Sequence, residues 1–553
     1  MNNFPFPSET VHRREAPVPE EEVMQIEGWD DKLMGQLHKI TGQEERPHFH
    51  LHHLYAETTN WEQMARVPSH GIPRIMHYVW CEQKSSFTFN HFLSVLSVIR
   101  TMVPDSIYLY YETGNYPTLD EKMYNTWLEE LRYNFPWLIT EPQNNTKICS
   151  GSIPNEYFVM SKLRKHGGAF MDFSIAMVEF DESLMPFDFI FEQGPQSYGI
   201  IGSKPNFPFE VQTYDQLKRR SENGKVFQCP DAQPRLEGVK NYICLRLVDP
   251  LFPEILLKES AENVPFYRYM RKLFYGNEGL PEVKTHLNEV VPNNGHYVWF
   301  GGGKMDYIFY LSALSVLYIV KADVIYVHGD KPPSGMYWER LQKEEGDRVR
   351  WVYRQYPHGI YQSYVGRVEH AADVARHDIM LKYGGINMDA DVIFTRPLDR
   401  RLFHYDTVVT LDNYWYPMRP FPNTFNLGVV MNKPHSKFWQ LYQFSERYYY
   451  EDDYTWNSNR VPYKIWERNP SLLRIEPELQ VICCYLKCYP TWVETRMEAY
   501  QLSKNIEAWK DRAMSFHWTW PSPSELDNEQ SLRSNNSLFA GIGQNVLKAA
   551  GKW

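Results

Sequence analysis

Short apolar runs alternate with amphipathic stretches along most of this chain, and one series of them occurs twice. Ile75-Met-His-Tyr-Val-Trp80, Phe92-Leu-Ser-Val-Leu-Ser-Val98 and Ile107-Tyr-Leu-Tyr110 are echoed by Gly295-His-Tyr-Val-Trp299, Tyr310-Leu-Ser-Ala-Leu-Ser-Val316 and Ile325-Tyr-Val-His328. A glycine-rich run closes each series: His166-Gly-Gly-Ala-Phe-Met-Asp-Phe-Ser-Ile175, then Tyr383-Gly-Gly-Ile-Asn-Met-Asp-Ala-Asp-Val-Ile-Phe394. The separations barely change (Trp80 to Trp299, Val98 to Val316, Gly167 to Gly384: 219, 218 and 217 residues). So long a period predicts duplicated whole domains rather than a solenoid, whose repeats are far shorter. In the second copy the pattern predicts strands around 296–300, 323–328 and 349–353, and helices near 307–320, 335–345 and 366–382. The last helix carries Val368, Ala372, Ala375 and Ile379 on one stripe, and Gly384 and Gly385 stand where a C-cap is wanted. Alternating strands and helices predict an α/β fold with a mainly parallel sheet, in which ligands gather at the carboxyl ends of strands.

The bulk numbers fit this picture. A chain of 553 residues exceeds what one core supports, and we place the boundaries at 1–70 (a polar, disordered lead and linker), 71–290 and 291–553. Hydrophobic content of 43% and charged content of 23% are ordinary for a soluble globular protein. A net charge of -10 argues against a nucleic-acid-coating protein. The best candidate for a membrane span, Phe309–Val320, is short and meets Lys321 and Asp323, as a buried helix would. The N-terminus lacks the apolar core of a signal peptide. Seven scattered cysteines are expected to be free and buried rather than a disulfide framework.

Asp389 and Asp391 are the chemically pointed residues. They sit at or just past a strand's carboxyl end; on a true strand both would face one side, and clustered carboxylates suit a hard divalent cation that keeps positions open for phosphate oxygens. Asp373 and Arg376, three apart on the preceding helix, project from neighbouring positions; alone they are an ordinary ion pair.

Ala372-Asp-Val-Ala-Arg376 followed by Tyr383-Gly-Gly-Ile-Asn-Met-Asp-Ala-Asp391 resembles the DXD sugar-binding region of GT-A glycosyltransferases, among them yeast initiating α-mannosyltransferases, α1,4-galactosyl and N-acetylglucosaminyl transferases and glucosylating toxins. The resemblance implies two GT-A-like, Rossmann-like domains in tandem. It also implies transfer of a hexose from a nucleotide sugar, UDP-linked by preference, to an acceptor hydroxyl with retention. Asp389 and Asp391 would hold Mn²⁺ or Mg²⁺ against the diphosphate. Asp373 would meet sugar hydroxyls, and Arg376 would reach sugar or diphosphate beside the reacting groups. Trp299, followed by Gly301 and Gly302, resembles the strand and loop where an aromatic stacks on uracil. His517, in Phe516-His-Trp-Thr-Trp520, resembles the C-terminal histidine that completes the metal shell. Asn387 replaces a tyrosine common in relatives, at a donor contact. Asn426 lies on a strand bordering the acceptor side. The first copy departs further, with Glu156, Val159 and Ser174 at the places of Asp373, Arg376 and Asp391, so it is expected to be degenerate and non-catalytic.

The acceptor, whether glycan, lipid or protein, is not legible, and relatives work both in the Golgi lumen and in the cytoplasm. The alternative is a carbohydrate- or nucleotide-binding pseudoenzyme, against which the intact second set weighs. His48, His50, His52 and His53 read as a surface tract, and the Asn144-Asn-Thr146 sequon bears only on a lumenal protein.

Overall fold

The computed structural model describes Val23–Met24 and residues 71–553, apart from 84, 118–126, 145–146, 194–198, 208–223, 234–235, 237, 289, 362, 413–423, 491, 493–496, 499–500, 503–508 and 510. The His48–His53 tract lies outside the described residues. Within the lead expected to be disordered, Val23–Met24 forms a short strand parallel to Gly359–Ile360.

Two seven-stranded sheets carry the architecture, and they share one plan. The first contains β1 (Ile75–Trp80), β2 (Ser106–Glu112), β3 (Leu138–Gln143), β4 (Gly168–Met171), β5 (Phe189–Glu192), β6 (Ile200–Ser203) and β7 (Gly224–Phe227), in the order β3-β2-β1-β4-β6-β5-β7. The second contains β8 (Asn294–Val298), β9 (Val324–Gly329), β10 (Val349–Tyr353), β11 (Gly385–Met388), β12 (Thr407–Asp412), β13 (Thr424–Asn432) and β14 (Arg474–Ile475), in the order β10-β9-β8-β11-β13-β12-β14. In each sheet one strand, β6 or β13, runs against the others. The fold is α/β with mixed, mostly parallel sheets.

Helices fill the crossovers between parallel strands. In the first half these are α1 (Phe89–Met102), α2 (Trp127–Asn134) and α3 (Glu156–His166); α4 (Pro265–Tyr275) follows the last strand of the first sheet. In the second, α5 (Tyr307–Ser315) is buried along its whole length, starts where Asp306 Oδ1 accepts from Phe309 N at 2.9 Å, and runs into a π-helical turn, Val316–Val320. The apolar run read as a buried helix is therefore one. Among the described residues no helix is long and apolar enough to cross a membrane. α6 (Val368–Tyr383) buries Ala371, Val374, Ala375 and Ile379, so the inward face is rotated from the expected stripe and Val368 is exposed. Gly384 ends it with a positive φ of 63°, its N–H reaching Met380 O at 3.1 Å.

The halves meet through α7 (Val461–Arg468), whose residues contact Trp127 and Glu130 of α2 and Phe274 and Tyr275 of α4. Arg468 pairs with the buried Glu130, and its guanidinium lies 4.2 Å from the centre of the Phe274 ring. Tyr275 Oη donates to Glu467 O at 2.9 Å. Burial pushes the Glu130 carboxyl up to about 7 against the pull of Arg468.

The expectation of free cysteines is overturned. Cys81–Cys149, Cys229–Cys244 and Cys483–Cys488 are disulfide-bonded, and Cys484 alone is free. Cys483 and Cys488 face each other across a hairpin, whereas the other two pairs join segments 68 and 15 residues apart.

Matching positions of the two sheets hold buried histidines. His77 contacts Tyr110 Oη and Gly167 O, each at 3.0 Å, whereas His296 Nδ1 lies 3.0 Å from His328 Nε2. Burial, with Arg354 adding to it, holds His296 down to about 4; burial, then His296 and Arg354, holds His328 down to about 3. In the unfolded chain these rings take up protons below about pH 6.5, while the folded chain resists until far lower, so stability falls as pH drops from 6.5 towards 4. Each ring contributes about 2 kcal/mol of that loss at pH 5. His328→Tyr, which copies Tyr110 of the first sheet, is expected to shrink the pH 7-to-5 stability loss by that amount in denaturant titrations; an unchanged loss would show that the pair is not its source.

Candidate active site

The Gly-Gly pair that ends α6 starts β11, and the chain leaves β11 in a tight turn. Asp389 N donates to Gly428 O at 2.9 Å, and Val392 N returns to Asp389 O at 3.2 Å. Asp389 and Asp391 are thus turn residues just past a strand's carboxyl end, not strand residues sharing a face. The strand stops at Met388 because the chain switches partner: Val392–Phe394 pairs antiparallel with Ser515–Trp520. The turn, rather than the pleat, makes the two carboxylates converge.

Arg376 ties α6 to that turn. Its Nη1 donates to Asp373 Oδ1 at 2.9 Å and its Nη2 to Asp389 Oδ1 at 2.7 Å. With the Asn387 amide turned so that its oxygen accepts, Arg376 Nε donates to it at 2.9 Å. Burial alone would lower the guanidinium pKa, but Asp389 and Asp373 outweigh it and raise it. Burial raises the Asp373 carboxyl, against the pull of Arg376. Asn387, expected to contact the donor, is only 1% exposed and lies behind Arg376.

His517 arrives from the far end of the sequence because it stands opposite Val392 in the strand pair. Its Nε2 is 3.3 Å from Asp391 Oδ1 and 3.7 Å from Asp389 Oδ2. Burial would depress this imidazole, yet Asp391 first and Asp389 next hold its pKa above the ordinary value. One ligand atom from each of Asp389, Asp391 and His517 lies within 4.8 Å of the others. Two carboxylates and an imidazole fit a hard-to-borderline divalent cation. Because Asp389 Oδ1 is taken by Arg376, Oδ2 is the oxygen facing His517. The aspartate side chains keep 37% and 31% exposure, so the cluster opens to solvent on one side.

Trp299 follows β8, the parallel neighbour of β11, so it stands at the same edge of the sheet as Asp389. It is half-buried, packs on Phe309 with ring centres 5.0 Å apart, and donates through Nε1 to Gly303 O at 3.3 Å. Gly301 and Gly302 have φ of 82° and 64°, a loop that L residues with side chains rarely adopt. Gly301 N donates to Asp330 Oδ1 at 2.6 Å. Sequence reasoning missed Asp412, Gly428 and Gln480, which surround Asn426 beside His517. They come from three separate segments and carry no local motif.

Residues 340–408, which include Asp373, Arg376, Asn387, Asp389 and Asp391, match the family described as glycosyltransferase sugar-binding region containing DXD motif. The Cryptococcus neoformans protein named Glucan organizing enzyme 1 is 25% identical over 274 residues, covering 46% of this chain and 71% of that protein. Among solved structures, a galactosyltransferase in complex with donor and acceptor sugar analogues aligns at 12% identity over 47% of this chain and 100% of its own, with a TM-score of 0.29. The PaToxG glycosyltransferase aligns at 14% identity over 33% of this chain and 70% of its own, with a TM-score of 0.24. Scores this low add no weight. On the family match and the sequence relative, the chain carries the DXD-containing sugar-binding region of the glycosyltransferases and is a glycosyltransferase.

Proposed function

We propose that residues 291–553 form a metal-dependent hexosyltransferase unit of GT-A type, taking a hexose from a UDP-linked sugar to an acceptor hydroxyl with retention. The observation that carries this reading is the convergence of Asp389, Asp391 and His517 within 4.8 Å at the carboxyl end of β11. Mn²⁺ or Mg²⁺ held by these three would supply counter-charge for the departing diphosphate. The chain's own residues do the rest. Arg376 commits three N–H groups to Asp373, Asn387 and Asp389 and is 7% exposed, so its part is to aim Asp389 Oδ2 rather than to touch the sugar. Asp373, 13% exposed beside Arg376, would meet sugar hydroxyls, and Trp299 the base. Retention rests on the resemblance to the DXD families.

We infer that the first half is a duplicated, non-catalytic copy. Its support is the shared strand order and one exchange at the site. Arg246 stands opposite Ile175, as His517 stands opposite Val392. Arg246 Nη2 binds the fully buried Glu192 at 2.6 Å, so a guanidinium built into the chain takes the histidine's place. Asp172 accepts from Ser174 N at 2.8 Å, closing its turn without a second carboxylate.

Three disulfides support folding in an oxidising compartment, a lumenal setting for the transferase. Non-reducing peptide mapping of protein taken from its native cell should recover all three; free thiols at those six positions would place it elsewhere.

Asp389→Asn and Asp391→Asn should each lower metal-dependent turnover of UDP-sugars by about 100-fold or more, read as UDP release with Mn²⁺ against EDTA. Wild-type rates in either variant would refute the site. Arg376→Met leaves Asp373 and Asp389 without their counter-ion and should cost about 3–5 kcal/mol in denaturant unfolding; an unchanged midpoint would show that the pairing is not structural.

A further inference from the structure

We infer that Asn426 dictates which ring nitrogen of His517 faces the two aspartates, making it a positioning residue for the proposed metal site; the inference rests on the metal-dependent reading above. The chemistry starts from a backbone group that can only donate. Gly428 N lies 2.9 Å from Asn426 Oδ1, so the amide atom there is an acceptor. The other end of the amide agrees, since Asn426 Nδ2 donates to Asp412 Oδ2 at 3.3 Å. Gln480 Nε2 holds the same residue from below, donating to Asn426 O at 2.9 Å and to Oδ1 at 3.3 Å. His517 Nδ1 is 3.1 Å from that same Oδ1, and a lone pair cannot meet a lone pair. Nδ1 therefore carries a hydrogen, which leaves Nε2 as the ring atom facing Asp391 and Asp389, whose nearest oxygens are 3.3 and 3.7 Å away. A proton on Nε2 meets these carboxylates in the metal-free chain, and a bound cation would replace it, taking the Nε2 lone pair together with an oxygen of each aspartate. Hydrogen bonding of a ligand histidine's second nitrogen is the general means of fixing its tautomer.

Space at the site points the same way. A Cβ on Gly428 would lie 2.4 Å from His517 Nδ1, so only glycine lets the ring reach Asn426. In the first sheet the matching Gly199 N–H donates at 2.9 Å to Glu192, the partner of Arg246. The same backbone donor anchors a carboxylate–guanidinium pair in one half and an amide–imidazole pair in the other.

The test uses the full chain without nucleotide, with Mn²⁺ alone as probe and electron paramagnetic resonance counting free ion. Asn426→Ala should weaken Mn²⁺ binding about 10–100-fold, the range for loss of such a partner. Asn426→Asp, which keeps an acceptor at the same place, should recover most of it, a rescue that a purely structural role does not produce. Wild-type protein saturated with Mg²⁺ should show His517 as the Nδ1–H form in ¹⁵N-histidine spectra, which needs no variant to fold. Wild-type Mn²⁺ affinity in Asn426→Ala, or an Nε2–H ring, overturns the inference while leaving the metal site standing. Failure of the wild-type chain itself to bind Mn²⁺ overturns the site and this inference together.

Discussion

Arg376 is buried between carboxylates from two different elements, Asp373 on its own helix and Asp389 beyond the next strand. Such a buried charge is tolerable only with its partners in place, because taking an ion out of water costs several kcal/mol that good geometry must offset. The pairing therefore clamps the end of α6 to the turn after β11. It also uses one oxygen of Asp389 and turns the other towards Asp391 and His517. The glycines at 384 and 385 make the clamp possible, since the helix must stop and the strand begin within two residues. What the site can do chemically follows from that constraint, and from a strand pairing that brings His517 across 125 residues of sequence.

The two sheets show how little of a fold depends on its chemistry. Strand order, sense and the place of the buried histidine are the same in both halves. Polar residues at the edge differ: Glu192 and Arg246 make a closed ion pair in the first, where His517, held by Asn426, faces two aspartates in the second. Contacts through Arg468, Glu130 and Phe274 then hold the first half against a helix of the second. Where the second half sets His517 opposite Val392, the first sets Arg246 opposite Ile175, a cation covalently part of the chain.

Much of this was legible in the sequence. Local patterns locate three strands and three helices between 294 and 383 to within a few residues, because apolar period and capping glycines are local signals. Asp373, Arg376, Asp389 and Asp391 were visible as a motif because one helix–strand unit carries them all. What escaped notice is set by how separate segments pack: the disulfides, the turn that makes the aspartates converge, and the cluster of Asp412, Gly428 and Gln480 around Asn426. Asn387 illustrates the limit best. Its place in the motif suggested a donor contact, whereas its burial behind Arg376 follows from strand geometry that no single sequence prints.

The most direct test of the account is anomalous diffraction from crystals grown with Mn²⁺ and UDP. One Mn²⁺ peak per chain is expected among Asp389, Asp391 and His517, with none beside Asp172. A peak at Asp172, or none at the aspartate–histidine cluster while Mn²⁺-dependent UDP binding persists in solution, would contradict it.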